Sequence, residues 1–154
     1  LDPLNAGYNV IQSIIAIGSG QLFGRGLGMG TQSHLRFLPE RHSDFIFASI
    51  AEELGFLGMG ALLIFFVVLL WRILRIAREA NDRFAMLTCL GVFAMIFSQF
   101  FINAGMNLGL LPVTGITLPL VSSGGSSLVA VLISLGIIEN VAGFIGRNEV
   151  KYLV

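Results

Sequence analysis

The sequence predicts an all-α integral membrane protein, and three observations lead to this fold class. Apolar residues make up 55% of the chain and charged residues only 12%, and the mean hydropathy of +0.87 lies far from the balance of an ordinary soluble domain. No Asp, Glu, Lys, Arg or His occurs from Phe84 to Ile138 or from Leu54 to Trp71. Since a spanning helix needs about 20 apolar residues, these runs accommodate three spans.

The spans are predicted in order over residues 44–71, 84–103 and 126–145. The formal net charge of zero gives no reason to expect a nucleic acid partner. The single cysteine, Cys89, lies inside the second span and is interpreted as a small core residue.

Basic residues set the predicted orientation. Residues 72–83 and the tail 146–154 carry Arg and Lys, and short basic loops belong on the cytoplasmic side of a membrane. Residues 1–43 and 104–125 are therefore expected on the extracytoplasmic side. The basic residues that favour this orientation are Arg72, Arg75, Arg78, Arg83, Arg147 and Lys151, and those that run against it are Arg25, Arg36 and Arg41.

Two features are predicted before the first span. Isoleucine and valine spacing in residues 9–20 indicates a short amphipathic helix that lies on the membrane surface or packs on other spans. The glycine-rich residues 18–30 are interpreted as a flexible connection rather than a phosphate cradle, because no strand precedes them. Within the first span, Gly55, Gly58 and Gly60 are interpreted as positions of close helix packing.

The segment 104–125 combines apolar residues with helix breakers, among them Pro112, Gly115 and Pro119. Non-helical backbone at membrane depth persists only where it is buried in protein or lines a watery cavity. A re-entrant or pocket-lining Pro/Gly loop is therefore predicted, and an ordinary surface loop is the alternative. Ser122 and Ser126 offer hydroxyls either to a polar head group or to cap the third span.

Carboxylates gather at the start of the first span. With a helix beginning near Ser43, Asp44 falls in the first turn, where the helix dipole favours a capping acid. Glu52 and Glu53 follow roughly 12 Å further along such a helix. Ionisable groups at that depth usually serve a site, a pathway or an internal pair. Only Glu52 shares a broad face with Asp44, so Glu53 is expected to pair within the bundle.

Cationic donors precede these carboxylates at Arg36, Arg41 and His42, with Glu40 between them. An arginine fork suits phosphate oxygens, and a base beside such groups suits transfer of a group away from a lipid pyrophosphate. A snorkelling belt at the membrane edge without chemistry is the alternative. The spacing of His, Glu and Asp matches no standard metal-ligand set, and no metal residue is assigned.

Two long motifs, FLPERHSDFIFASIAEELGFLG from residue 37 and NAGMNLGLLPVTGITLPLVSSGGSSL from residue 103, resemble the C-terminal part of the SEDS proteins, the RodA/FtsW/SpoVE family. The upstream residues 2–45 are most similar to the RodA branch. The resemblance covers roughly residues 1–145. It implies a ten-span fold, of which this chain holds the last three transmembrane helices, a large extracytoplasmic loop and the re-entrant Pro/Gly loop.

The resemblance also implies an activity, a location and partners. The implied activity is that of a peptidoglycan glycosyltransferase, which polymerises lipid II with inversion. The implied location is the bacterial plasma (inner) membrane, as a multi-pass protein, and the implied partner is a class B penicillin-binding protein. Lipid II is an undecaprenyl-pyrophosphate-linked disaccharide peptide, and membrane lipid surrounds the protein. The family's essential aspartate falls on Asp44, which becomes the candidate general base. Without the other spans we expect the segment alone to be inactive.

Further roles are hypotheses beside that resemblance. The candidate substrate-binding residues are Arg36, Glu40, Arg41, His42, Glu52, Ser122 and Ser126, and the one cofactor considered is a divalent cation, Mg²⁺ or Mn²⁺. Two other functions stay open: a flippase or transporter for the lipid-linked precursor, since broken helices also build transport sites, and a non-catalytic scaffold for a penicillin-binding protein. A role in elongation is not separated from one in division.

Overall fold

A computed structural model describes residues 6–26, 44–80, 82–122 and 124–151, with side chains up to Ile145 in the last range. Every regular element in those ranges is a helix, which confirms the predicted all-α class. In chain order the helices are α1 (Ala6–Ser19), α2 (Ile46–Glu79), α3 (Arg83–Asn107) and α4 (Gly125–Lys151).

Three of these helices are long and apolar enough to cross a membrane, as predicted. They are α2, α3 and the part of α4 up to Ile145. A helix suits this environment because it pairs its own backbone groups where no water is present. Large apolar side chains such as Ile64, Phe84 and Ile133 point outward from these helices, as expected for surfaces that face lipid or further spans.

The helices extend further than the sequence predicts. α2 continues through most of the predicted loop 72–83 and ends at Glu79. Its last turns consist largely of good helix formers, and Arg75 Nε donates a hydrogen bond to Glu79 Oε1 at 2.9 Å in an i, i+4 pair. α3 likewise runs to Asn107 and α4 into the predicted tail. The sidedness of the connections stays a prediction.

The core lies between the three long helices and the segment that precedes α4. Phe66 of α2 packs on Phe100 of α3 with ring centroids 4.5 Å apart, and Cys89 is fully buried, as expected of a core residue. α1 packs against α2 and α3. The buried members of the core are Phe66, Ile73, Ile76, Ala77, Cys89, Ile96, Leu118, Val131 and Ile138.

α2 is broken at Gly55, where φ is 64° and ψ is −161°. A positive φ in this region is costly for residues with a Cβ, so glycine is the residue that the break requires. The interpretation of Gly55 as a helix-packing position is therefore corrected: it is the point at which the helix changes direction. The break also frees main-chain groups on both sides from their helical partners.

Residues 20–26, here called the glycine clasp, pair with the broken helix. The N–H groups of Arg25 and Gly26 donate to the carbonyls of Glu52 and Glu53 at 3.0 and 3.1 Å. In the other direction, main-chain N–H groups that follow the break donate to clasp carbonyls: Phe56 to Gln21 at 2.8 Å and Leu57 to Leu22 at 3.2 Å.

The clasp approaches α2 closely enough to require glycine. A Cβ on Gly20 would overlap the carbonyl of Ala51, and one on Gly24 would overlap the carbonyl of Glu53. For residues 20–26 the prediction of a flexible connection is therefore wrong, because this stretch is fastened to the helix by its main chain. Residues 27–30 of the glycine-rich stretch lie outside the described residues.

Candidate active site

Asp44 lies in the turn that precedes α2 and not in the first turn of the helix. The N-cap position belongs to Phe45, whose side chain is buried and whose carbonyl accepts the N–H of Ser49 at 3.2 Å. The prediction that Asp44 sits within the helix is therefore corrected. Its position relative to Glu52 does not follow from helical geometry, because the two residues do not share one continuous helix.

Two asparagines of α3 hold Asp44 by its main chain. Asn103 Nδ2 donates to the Asp44 carbonyl oxygen at 3.0 Å, and Asn107 Nδ2 donates to the same oxygen at 3.1 Å. Both asparagines are fully buried, whereas Asp44 is half-buried. Since these bonds end on the carbonyl, they fix the position of the residue and leave the carboxylate oxygens to other contacts.

The non-helical segment between α3 and α4 lies against Asp44. A Cβ added to Gly115, which has a φ of 70°, would stand 3.7 Å from Asp44 Oδ2. The neighbouring Ile116 carbonyl accepts a hydrogen bond from Asn103 Nδ2 at 2.7 Å, and Leu118 and Pro119 are buried. The segment therefore lines the site by folding back on the helices; its re-entry into the membrane stays a prediction.

The serines of this segment occupy different environments. Ser122 is 5% exposed and its main-chain N–H donates to Leu118 at 3.0 Å, whereas Ser126 is exposed in the first turn of α4. It is Ser127 that ties the segment to α4: its hydroxyl accepts a hydrogen bond from Thr117 Oγ1 at 3.0 Å and donates to Gly124. Neither Ser122 nor Ser126 is joined to Asp44 by these bonds.

Glu52 is fully buried, just before the break in α2. Glu53 is half-buried. A fully buried acid in a spanning helix is costly and indicates a specific partner or site. The other predicted substrate-binding residues, Arg36, Glu40, Arg41 and His42, lie outside the described residues.

The described part of the chain does not assemble a metal site. Among its residues, no three His, Cys, Asp or Glu side chains gather into a group that could hold an ion. Glu40 and His42, which stand close to Asp44 in the sequence, lie outside that part.

Sequence reasoning missed Asn103, Asn107 and Ser13, and it identified Gly115 only as a helix breaker of the predicted pocket-lining loop. The signal for the asparagines was present, because Asn103 and Asn107 are spaced i, i+4 at the end of an otherwise apolar span and so share one face of α3. Two amides at that depth need hydrogen-bond partners. Ser13 carried no local signal for its bond to Asn107, and no local signal placed Gly115 beside Asp44, since both relationships join residues distant in the chain.

Comparison with known proteins identifies the family. The FtsW/RodA/SpoVE family, described as cell cycle proteins, matches residues 1–145 of this sequence. The chain belongs to this family.

Among FtsW/RodA/SpoVE relatives, peptidoglycan glycosyltransferase MrdB of Escherichia coli (strain K12) is 51% identical over 91% of this chain and 38% of its own length. Stage V sporulation protein E of Bacillus subtilis (strain 168) is 49% identical over 93% of this chain and 39% of its own length. A chain from a solved peptidoglycan synthase complex, described as coordinating polymerisation and crosslinking, matches with a TM-score of 0.71 and 39% identity, over 90% of this chain and 36% of that chain.

The chain thus spans less than two fifths of the length of these two relatives. Together with the three apolar helices, membership of the FtsW/RodA/SpoVE family places it in a multi-pass protein of the plasma membrane. The two identities, 51% and 49%, are too similar to distinguish the branches of the family, so the assignment to the RodA branch stays a prediction.

Proposed function

We propose that the full-length protein that carries this chain is a peptidoglycan glycosyltransferase that polymerises lipid II, with Asp44 as its general base. The observation that carries the proposal is the placement of Asp44. Its carboxylate lies beside Gly115 at the end of a span, on a residue whose main chain is held by two buried amides. The activity in the name of the E. coli relative MrdB supports the same reaction.

In this reaction the Asp44 carboxylate accepts the proton of the 4-hydroxyl of an acceptor GlcNAc as that oxygen attacks the anomeric carbon of a lipid-linked MurNAc. The new C–O bond forms as the bond between the anomeric carbon and the pyrophosphate oxygen breaks. The undecaprenyl pyrophosphate leaves with the electron pair, and direct displacement inverts the anomeric centre. A positioned base contributes about 10²- to 10⁴-fold to such a step.

The remaining binding roles belong to the same proposal. Arg36 and Arg41 would hold the departing pyrophosphate, because an arginine fork donates to two phosphate oxygens. Glu40 and His42 would also bind the substrate, and Ser122 and Ser126 would contact the head group. Glu52, although fully buried in this chain, would also take part in substrate binding.

The break in α2 bears on the transport alternative. In secondary transporters the ends of broken helices expose backbone groups to the substrate or the coupling ion. In this chain the carbonyls of Glu52 and Glu53 and the N–H groups of Phe56 and Leu57 are engaged by the glycine clasp. This pairing favours a structural role for the break, and therefore supports the polymerase over a transporter that uses it.

A penicillin-binding partner is proposed for the full-length protein. The support is a solved structure of a peptidoglycan synthase complex, described as coordinating polymerisation and crosslinking, because one chain of that complex is similar to this one. A class B penicillin-binding protein would provide the crosslinking activity and this protein the polymerisation.

The test uses the full-length protein, purified with its penicillin-binding partner and supplied with labelled lipid II. Glycan strand formation is compared between the parent, Asp44→Asn and the matched control Asp82→Asn, an exposed aspartate before α3. We expect Asp44→Asn to lose at least about 100-fold in rate, with unchanged folding and complex yield, and Asp82→Asn to polymerise like the parent.

Equal polymer from Asp44→Asn and the parent would remove Asp44 as the base. If both also crosslink normally through the partner, a scaffold role replaces the proposed one. Loss of lipid II flipping, with polymerisation intact when lipid II is supplied on the outer side, would instead support the transporter.

A further inference from the structure

We propose that Asn103 and Asn107 are positioning residues for Asp44 that act through its main-chain carbonyl. The inference rests on the proposed function, because it assigns how the base is held for the reaction. In this proposal neither asparagine contacts the substrate. Their effect on the rate would arise from the placement of another residue's carboxylate.

The hydrogen bonds show why these two positions require a neutral amide. An asparagine Nδ2 carries two protons. Asn103 Nδ2 donates to the carbonyls of Asp44 at 3.0 Å and Ile116 at 2.7 Å. Asn107 Nδ2 donates to the Asp44 carbonyl at 3.1 Å and to the Asn103 carbonyl at 2.9 Å. An aspartate would supply no proton here when ionised, and a leucine none at all.

The network joins parts of the chain that are distant in sequence. Asn103 and Asp44 are separated by 59 positions, and Asn107 and Asp44 by 63. Ser13 of α1 extends the network, since its hydroxyl lies 2.9 Å from the carbonyl oxygen and 3.1 Å from Oδ1 of Asn107, 94 positions away. The turn at Asp44, α1, α3 and the Gly115 segment therefore meet at these amides.

Asp44 needs this support because it lies outside the helix. The carbonyl of Phe45 accepts a hydrogen bond from the N–H of Ser49 within the helix. Asp44 precedes the N-cap, and its carbonyl accepts hydrogen bonds from the side chains of Asn103 and Asn107 in α3 instead. Anchoring that carbonyl restricts rotation of the peptide unit and so limits the positions that the Asp44 carboxylate can reach. A displacement of about 1 Å at a reacting group can cost about 100-fold in rate.

The burial of Asn103, Asn107 and Ser13 indicates that they position Asp44 and do not bind the substrate. Asn103, Asn107 and Ser13 are each 0% exposed, so a large head group in the site would reach the Asp44 carboxylate without contacting their side chains. Their loss should therefore lower kcat more than it changes KM for lipid II. A residue that binds substrate would show the opposite split.

The experiment measures kcat, KM and the thermal midpoint of the full-length protein, in complex with its penicillin-binding partner, with labelled lipid II as the probe. The variants are Asn103→Leu, Asn107→Leu and Ser13→Ala, and the control is Ser98→Ala, whose hydroxyl bonds Met95 within α3 at 3.0 Å. We expect kcat per folded protein to fall about 10- to 100-fold in the leucine variants and severalfold in Ser13→Ala, with KM within about twofold. Ser98→Ala should match the parent.

A double variant gives a readout that a purely structural role would not produce. Adding Ser13→Ala to Asp44→Asn should cause no further fall in the residual rate, because the hydroxyl acts only through the placement of Asp44. The proposal would be overturned if Ser13→Ala lowered the rate of Asp44→Asn by the same factor as it lowers the rate of the parent. It would also be overturned if folded Asn103→Leu and Asn107→Leu kept the parent kcat. If the leucine variants do not fold, an unchanged kcat in Ser13→Ala overturns it.

These outcomes are distinct from failure of the proposed function. If Asp44→Asn alone abolishes polymerisation while the network variants keep the parent kcat, the base assignment stands and the positioning role is wrong. If Asp44→Asn polymerises normally, the proposed function itself fails.

Discussion

The main-chain N–H of Phe56 donates a hydrogen bond to the carbonyl oxygen of Gln21 at 2.8 Å, so a loop that follows α1 completes the backbone pairing of a broken helix. The break divides α2 into a short part that follows Asp44 and contains Glu52, and a long part that spans the membrane. Because backbone groups in a membrane need partners, the glycine clasp makes this break stable and sets the direction of the part next to the site.

The first prediction concerns the break itself. Gly55→Ala should destabilise the full-length protein by about 2 kcal/mol, since alanine is strained at a φ of 64° and its Cβ would overlap the main chain of the glycine clasp. Thermal unfolding in detergent would measure the loss. Gly60→Ala is the control, because this helical glycine has open space around its Cβ position; equal midpoints for the two variants would contradict the role of Gly55.

The second prediction concerns access to the Asp44 carboxylate. Gly115 and Gly109 both have positive φ, 70° and 73°, so alanine is strained at either position by about 1 kcal/mol. Only at Gly115 would the Cβ stand near Asp44 Oδ2, at 3.7 Å, whereas at Gly109 it would crowd Ile14. Gly115→Ala should therefore lower kcat/KM for lipid II by about tenfold per folded protein.

Gly109→Ala is the matched control, because it introduces similar backbone strain without placing a Cβ near the Asp44 carboxylate. It should lower the thermal midpoint at least as much as Gly115→Ala while it retains the parent kcat/KM per folded protein. A similar loss of activity in both variants would mean that backbone strain, and not proximity to Asp44, explains the effect.

The third prediction concerns the buried acid. Glu52→Ala should cost about 2 kcal/mol or more, because it empties a fully buried position. Glu53→Ala, at a half-buried neighbouring position, should cost less. Chemical denaturation of the two variants in the same detergent would measure the difference, and a larger loss for Glu53→Ala would reverse this assignment.

The fourth prediction concerns the join between the Gly115 segment and α4. Thr117→Val removes the hydroxyl that donates to Ser127 Oγ at 3.0 Å while it keeps the side-chain shape, and should cost about 1 kcal/mol. Thr114→Val changes an exposed threonine of the same segment and should have little effect. Proteolysis of the segment under native conditions would compare the two; equal susceptibility would show that the Thr117–Ser127 bond does not hold it.

The sequence by itself determined the class of this protein and the approximate places of its three long apolar helices. Charge-free runs such as 84–138 allow few structures other than membrane helices, because the membrane imposes a simple rule on length and polarity. Proline and glycine near Pro112 and Gly115 likewise marked where the helices end. Asp44 was found through a family resemblance, since its spacing alone also allowed a capping role or a membrane-edge belt.

Only the tertiary structure decided how the site is held. The break at Gly55 looked like a packing glycine, and the glycine clasp looked like a flexible connection, because each is recognisable only beside the other. Asn103 and Asn107 acquire their role from a carbonyl 59 and 63 positions away. Local patterns report periodicity and polarity, whereas hydrogen bonds between distant segments depend on how the helices pack, which no local pattern contains.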